Sequence, residues 1–241
     1  MTPLSKEREY RVLFIGNSYT YFNNLPSLMF GPMAASAGYR VTVEKVTKGA
    51  YRLDLHADPT DPIGAIVEER LASNRYDFVI LQEQSHRPIT DREAFFNGTR
   101  ALAKRIVQNG AVPILYSTWG RKKGSRDFER FGLENHDAMT YRLAAAYRKI
   151  GEELGIDVAH VGLAFHEVNA KTHLELYHAD CSHSSQTGSY LAALVLFCRI
   201  FGGSPEAVTY DLALEAYAVK LLQRAAAQVL TDPAIPNEYL L

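Results

Sequence analysis

The stretch RVLFIGNS, residues 11–18, decides how this chain folds. Residues 11–15 form a short β-branched and apolar run, and Gly16-Asn17-Ser18 ends it in turn-forming residues. Hydrophobicity that is continuous, not alternating, marks a strand buried on both faces, and a turn at its carboxyl end is where a parallel sheet presents functional groups.

Working outward, the same pattern repeats. Residues 24–38 read as a helix stopped by Gly38, 39–46 as a strand, 63–73 as a helix and 78–81 (FVIL) as a second fully apolar strand. A helix over 91–108 leads to a strand at 111–116 (AVPILY), a helix over 134–154 and a short strand at 157–161. Helices over 184–201, with Ser184 as N-cap, and 212–230 complete the chain. Strands alternating with helices predict a flavodoxin-like, three-layer α/β/α sandwich on a central parallel five-stranded sheet, as one domain over 1–241. The irregular basic segment 118–133 (TWGRKKGSRDFERFGL) reads either as a lid or as a solvated loop.

Bulk properties narrow the function. With 47% hydrophobic and 22% charged residues in 241, the chain can bury a large core, and a formal net charge of −1 provides no field for nucleic acid. Two cysteines, Cys181 and Cys198, stand outside any paired CxxC spacing, so neither a disulfide framework nor a zinc ribbon is expected. The polar N-terminus runs into only a few apolar residues, and no apolar segment approaches the ~20 residues of a membrane span. A cytoplasmic protein without a membrane partner is therefore expected, its oligomeric state left open.

The residues just after each strand are small or polar: Asn17, Ser18 and Tyr19; Lys48 and Gly49; Gln82, Glu83, Gln84 and Ser85; Ser117, Thr118 and Trp119. Further on, Asp180 and His183 sit three residues apart in a polar loop opening a helix. A serine nucleophile needs a base, and the base needs a carboxylate that fixes its tautomer and stabilises the imidazolium. Ser18, His183 and Asp180 can supply those three groups. By itself a serine after a strand is usually only a helix cap.

Together these blocks resemble the SGNH hydrolases, also called GDSL-type esterases and lipases. That family carries Gly-Asp-Ser after the first strand, an isolated glycine after the second, Gly-x-Asn-Asp after the third and Asp-x-x-His near the C-terminus. The corresponding positions here are Gly16-Asn17-Ser18, Gly49, Gln82-Glu83-Gln84-Ser85 and Asp180-Cys181-Ser182-His183. The resemblance implies Ser18 as nucleophile, His183 as base and Asp180 as its partner. It also implies an oxyanion hole from the N–H groups of Ser18 and Gly49 with the amide of Gln84, or of Gln82, in place of the family's asparagine. The implied function is a serine esterase acting through an acyl-enzyme on short-chain or carbohydrate O-acetyl esters, without cofactor. A lipase or thioesterase for longer acyl groups, or a catalytically silent binding module, are the alternatives.

Other groupings carry less. Asn17, Tyr19, Gln82 and Trp119 are candidates for the substrate pocket, with the aromatic faces of Trp119, Tyr19, Tyr21 and Phe22 available to pack against sugars or acyl chains. His173, His178 and His183 are spaced by five, which places them on no common helical face, and no metal is expected. Cys181 is a weaker nucleophile candidate than Ser18, and Gly16-Asn17-Ser18-Tyr19 lacks the spacing of a phosphate loop. Arg121, Lys122, Lys123 and Arg126 read as a solvated face.

Overall fold

The computed structural model describes residues 4–231 and 233–240. The chain enters on strand β1 (Glu9–Gly16), turns through the short helix α1 (Ser18–Tyr21) and passes via α2 (Gly31–Ser36) to β2 (Arg40–Thr47). Helices α3 (Leu53–Ala57) and α4 (Pro62–Ser73) lead to β3 (Phe78–Leu81). Then α5 (Arg87–Thr90) and α6 (Arg92–Gln108) precede β4 (Val112–Tyr116). Helices α7 (Asp127–Arg130) and α8 (His136–Leu154) are followed by β5 (Val158–Ala159) and by α9 (Val161–Lys171), α10 (Gln186–Phe201) and α11 (Ala216–Gln228).

All four strand pairings are parallel, in the order β2-β1-β3-β4-β5. Neighbouring positions on β1 belong to opposite sides of the sheet: Val12 and Phe14 join one apolar cluster, Leu13 and Ile15 the other. Phe78 and Ile80 against Val79 and Leu81 repeat this on β3. Strands buried on both faces leave no position for a polar residue, which is why their sequences read as unbroken apolar runs. Side chains from α2, α9, α10 and α11 cover one face; α3, α4, α6 and the C-terminal half of α8 cover the other. Edge strand β2 is the exception, with Arg40, Thr42 and Lys45 exposed, a composition that discourages pairing with a further strand. The predicted three-layer α/β/α sandwich on five parallel strands is thus the observed fold.

Several boundaries differ from the sequence reading. The helix expected over 24–38 is broken into a 3₁₀ turn (Phe22–Asn24), a π turn (Pro26–Phe30) and α2, because Asn23 and Asn24 take left-handed φ values of 53° and 51° and Pro26 and Pro32 lack an N–H. Helix α9 was not foreseen: His160 provides no side-chain cap, and its apolar residues continue those of β5 without a break. Ser185, not Ser184, caps α10, accepting from Gly188 N–H at 3.1 Å, while Ser184 closes an isolated antiparallel bridge with Tyr177. Among the described residues no helix is long and apolar enough to cross a membrane.

Candidate active site

The β1–α1 turn carries Ser18. Asn17 caps α1, its Oδ1 accepting from Tyr19 N–H at 3.1 Å and its Nδ2 donating to the Tyr51 carbonyl at 2.8 Å. From the next strand Gln82 reaches across, its Oε1 accepting both Asn17 N–H and Thr20 Oγ1–H at 2.9 Å. Gly16 is required by this crossing: a Cβ there would lie 2.5 Å from Thr20 Oγ1 and 2.7 Å from Gln82 Oε1. Beneath the turn, buried His56 holds the Gly16 carbonyl through Nε2 at 3.0 Å, and burial depresses that imidazole to about 4, leaving it a neutral Nε2–H donor.

The Asp180–His183 loop closes over Ser18. Its neck is the Tyr177–Ser184 bridge, reinforced by His178 N–H to the His183 carbonyl at 2.8 Å. Cys181 at its tip takes φ = 60°. Asp180 Oδ1 accepts the backbone N–H groups of Ser182 and His183, both at 2.9 Å, which leaves Oδ2 for His183 Nδ1 at 2.6 Å. His183 Nε2 lies 2.8 Å from Ser18 Oγ. Partial burial would raise the Asp180 carboxyl, but the His183 ring hydrogen bond and the two backbone donors outweigh it and hold it at about 2. The carboxylate is therefore charged at neutral pH. His183 Nδ1 then carries the proton and Nε2 offers its lone pair to the serine.

A buried layer supports this loop from below. Trp119 is sandwiched between Tyr19 (centroids 4.6 Å, planes 7° apart) and Phe165 (4.2 Å, 2°), and its Nε1–H donates to the Ser182 carbonyl at 3.0 Å. Arg121 donates to Tyr19 Oη, to Ser85 Oγ at 2.9 Å and, through Nε, to Asp127 at 2.8 Å. A guanidinium only donates, so Tyr19 Oη accepts and its own proton is left for Ser182 Oγ at 2.9 Å. Burial raises the pKa of Tyr19 against the pull of Arg121, so the phenol keeps that proton. From the solvent side, Phe22 stacks on the His183 imidazole at 4.7 Å.

Four expectations are corrected here. Asn17, Tyr19, Gln82 and Trp119 do not line an open pocket: their relative exposures are 2%, 3%, 0% and 0%, and each is spent on the turn or on the loop's support. Gln82 is wholly buried, with Oε1 holding the turn and Nε2 donating to the Glu83 carbonyl, so its amide does not open toward a substrate. The solvated-face reading fails at Arg121, which is 5% exposed, while Lys122 and Lys123 are partly or fully exposed. Segment 118–133 therefore begins as buried scaffold. Phe22, expected among the aromatic pocket candidates, stacks on the His183 imidazole, whereas the supporting role of Arg121 was missed: a basic run carries no signal of burial until the chain is folded.

Of the remaining expected site residues, Gly49 lies near the turn. Lys48 N–H donates to the Gly16 carbonyl, which sets Gly49 beside the turn, and Tyr21 Oη lies 3.2 Å from where a Gly49 Cβ would be. Neither Ser18 N–H nor Gly49 N–H has a partner among the described residues. Half-buried Gln84 donates from Nε2 to Ser85 Oγ at 3.3 Å and accepts His86 N–H at 3.2 Å. Its neighbour Glu83 is wholly buried, which pushes its carboxyl up to about 7 against the pull of the Gln84 N–H, of Arg87 and of the Leu53 N–H. His173, His178 and His183 do not assemble with Asp180 and Cys181 into a metal-ligand set among the described residues.

No protein-family model matches the chain, and no curated protein does. Solved structures do. A candidate SGNH hydrolase from Slackia heliotrinireducens is 34% identical, with a TM-score of 0.70 over 81% of this chain and 100% of its own. A DUF4886 family protein from Bacteroides uniformis superposes with a TM-score of 0.81 at 17% identity, over 96% of this chain and 99% of the other. An acetylxylan esterase from Geobacillus stearothermophilus shares the fold at 14% identity and a TM-score of 0.54, over 86% and 97% of the two chains. Identity of this level across the whole length of the Slackia protein, joined to the Gly16-Asn17-Ser18 and Asp180-x-x-His183 blocks, places this chain in the SGNH (GDSL-like) hydrolase family.

Proposed function

We propose that the protein is a serine esterase that hydrolyses small acyl esters, in particular O-acetyl groups on carbohydrates, through an acyl-enzyme. The observation that carries this reading is the unbroken relay from Asp180 Oδ2 through His183 to Ser18 Oγ, at 2.6 Å and 2.8 Å. Ser18 Oγ attacks the ester carbonyl as its proton passes to His183 Nε2. The imidazolium so formed faces the Asp180 carboxylate, and it returns the proton to the leaving alcohol. Water, activated by the same imidazole, then releases the acyl group from Ser18.

The unpartnered N–H groups of Ser18 and Gly49 are the donors that the tetrahedral oxyanion would take up. Gln84 is the third, its long hydrogen bond to Ser85 being cheap to exchange for a charged acceptor. Short acyl specificity is favoured because Phe22 covers the imidazole and the aromatic groups below are fully packed, leaving little depth near Ser18 for a long chain. Acetylxylan esterases among the structures of like fold point to the same substrate class.

The test is hydrolysis of p-nitrophenyl esters of increasing chain length and of acetylated xylo-oligosaccharides, with labelling by a fluorophosphonate probe. Wild type should label and prefer acetyl, and Ser18→Ala should do neither. Wild-type turnover retained in Ser18→Ala would remove the nucleophile assignment, and a preference for long chains would remove the acyl class.

A further inference from the structure

Away from Ser18, the N-terminal end of α8 meets α9 through three side chains whose donor atoms lie within 4.8 Å of one another: His136, Asp137 and His166. We infer that these three residues form a binding site for a divalent transition-metal ion of the zinc type, one that ties α8 to α9 and stiffens the start of segment 118–133. This site is separate from the triad and does not depend on the proposed activity.

The case begins with a hydrogen-bond inventory. His136 is 2% exposed, and its Nδ1 lies 2.7 Å from the Arg121 carbonyl. A carbonyl can only accept, so Nδ1 carries the proton and Nε2 presents a lone pair. That Nε2 is buried and has no hydrogen-bond partner. His166 Nδ1 is in the same condition: it is buried and unpartnered, and 3.5 Å from Asp137 Oδ1 it is too far for a good hydrogen bond. Its other nitrogen lies 3.1 Å from Tyr141 Oη, which can accept the Nε2–H and so leave Nδ1 as the ligating atom. The two rings lie nearly parallel, 14° apart. Leaving two buried acceptors unpaired side by side is costly, and a cation between them satisfies both at once.

Two imidazole nitrogens and one carboxylate are the donor set of a three-ligand zinc site with a position open to water. Nitrogen donors also select zinc, cobalt or nickel over magnesium and calcium, which prefer all-oxygen shells. The Nδ1–H of His136 on a backbone carbonyl is the outer contact that fixes a ligating imidazole's tautomer. An entry path exists, since His136 and Asp137 line a surface cleft with Glu134, Asn135 and Lys123. The outer contact also gives the ion a structural consequence. Arg121, whose carbonyl it steadies, grips Tyr19 and Ser85 beneath the Asp180–His183 loop.

The experiment is titration of Co2+ and Zn2+ into chelator-treated, dialysed protein, read by cobalt visible absorption, by calorimetry and by melting temperature. Wild type should bind one equivalent with the absorption of a low-coordinate nitrogen site and should melt at a higher temperature when loaded. His166→Ala, at a partly exposed position that tolerates truncation, should weaken binding by at least about tenfold, as should Asp137→Ala and His136→Gln. His173→Ala, a histidine outside the cluster, should bind as wild type does. Absence of stoichiometric binding in wild type, binding that survives in both histidine variants, or its loss in His173→Ala would each overturn the site. None of these readouts uses ester hydrolysis, so failure of the metal site and failure of the esterase reading are distinguishable.

Discussion

The turn that carries Ser18 and the loop that carries Asp180 and His183 meet at the 2.8 Å contact of Ser18 with His183, yet they are held in different ways. The turn is the direct continuation of a central strand, fully packed, with Gln82 and His56 from neighbouring segments fixing its backbone. The loop is half-exposed and owes its position to Trp119 and Arg121 from segment 118–133 and to Tyr19 and Phe22, which follow Ser18 in the chain. Damage to the turn should therefore appear as lost stability. Damage beneath the loop that keeps the packed volume should appear as lost turnover in a protein that remains folded.

The largest separation of the two is expected at Asp180. On the proposed mechanism Asp180→Asn removes the charge that stabilises the imidazolium, and kcat should fall by about 10^4-fold while the melting temperature falls by only a few degrees, as steady-state kinetics beside thermal unfolding would show. Next is Trp119→Ala, which empties a fully buried stack and should cost about 3–5 kcal/mol in denaturant titration, whereas Trp119→Phe should keep most stability and lose turnover with the Ser182 contact. An equal loss of stability in both Trp119 variants would break the comparison.

The turn has its own signature in acid. His56 titrates at about 4 in the folded chain against about 6.5 when unfolded, so below pH 6.5 the unfolded state binds the extra proton. The stability it contributes, at most about 3 kcal/mol, is whole above pH 6.5 and lost as pH falls toward 4. Replacing His56 with Gln should flatten that part of the pH–stability curve. Asp180 acts lower: depressed to about 2, it contributes above its unfolded value near 4, and that contribution disappears as pH falls toward 2. Gly16→Ala should cost about 1–3 kcal/mol through its clash with Thr20 and Gln82. Last, Tyr19→Phe should remove the neutral bond to Ser182 and the charge-assisted bond from buried Arg121, lowering kcat by about tenfold with KM unchanged.

How much of this was legible depended on how local the signal was. Strands β1, β3 and β4 were visible because burial on both faces forces an unbroken apolar run, and Ser18 with Asp180-x-x-His183 was offered as a site because these blocks resemble those of the SGNH family in order and spacing. The pocket residues were misread because position after a strand says where a residue is in the chain, not which way it faces. Trp119 and Tyr19 follow strands and still point into the core. Arg121 sat in a basic run that reads as solvent-exposed, and only Tyr19, Ser85 and Asp127, distant or folded back, make burial of its charge affordable.

The sequence alone thus determined the layer architecture and the RVLFIGNS strand and turn, which follow from periodicity, and it offered Ser18, Asp180 and His183 as a proposed relay through short blocks that resemble those of the SGNH family. Only the tertiary structure decided that His183 points at Ser18, that the expected pocket aromatics are scaffold, and that His136 and His166 face each other across α8 and α9. Contacts such as Trp119–Ser182 and His136–His166 join residues tens of positions apart, and no local pattern encodes a distance that only packing creates.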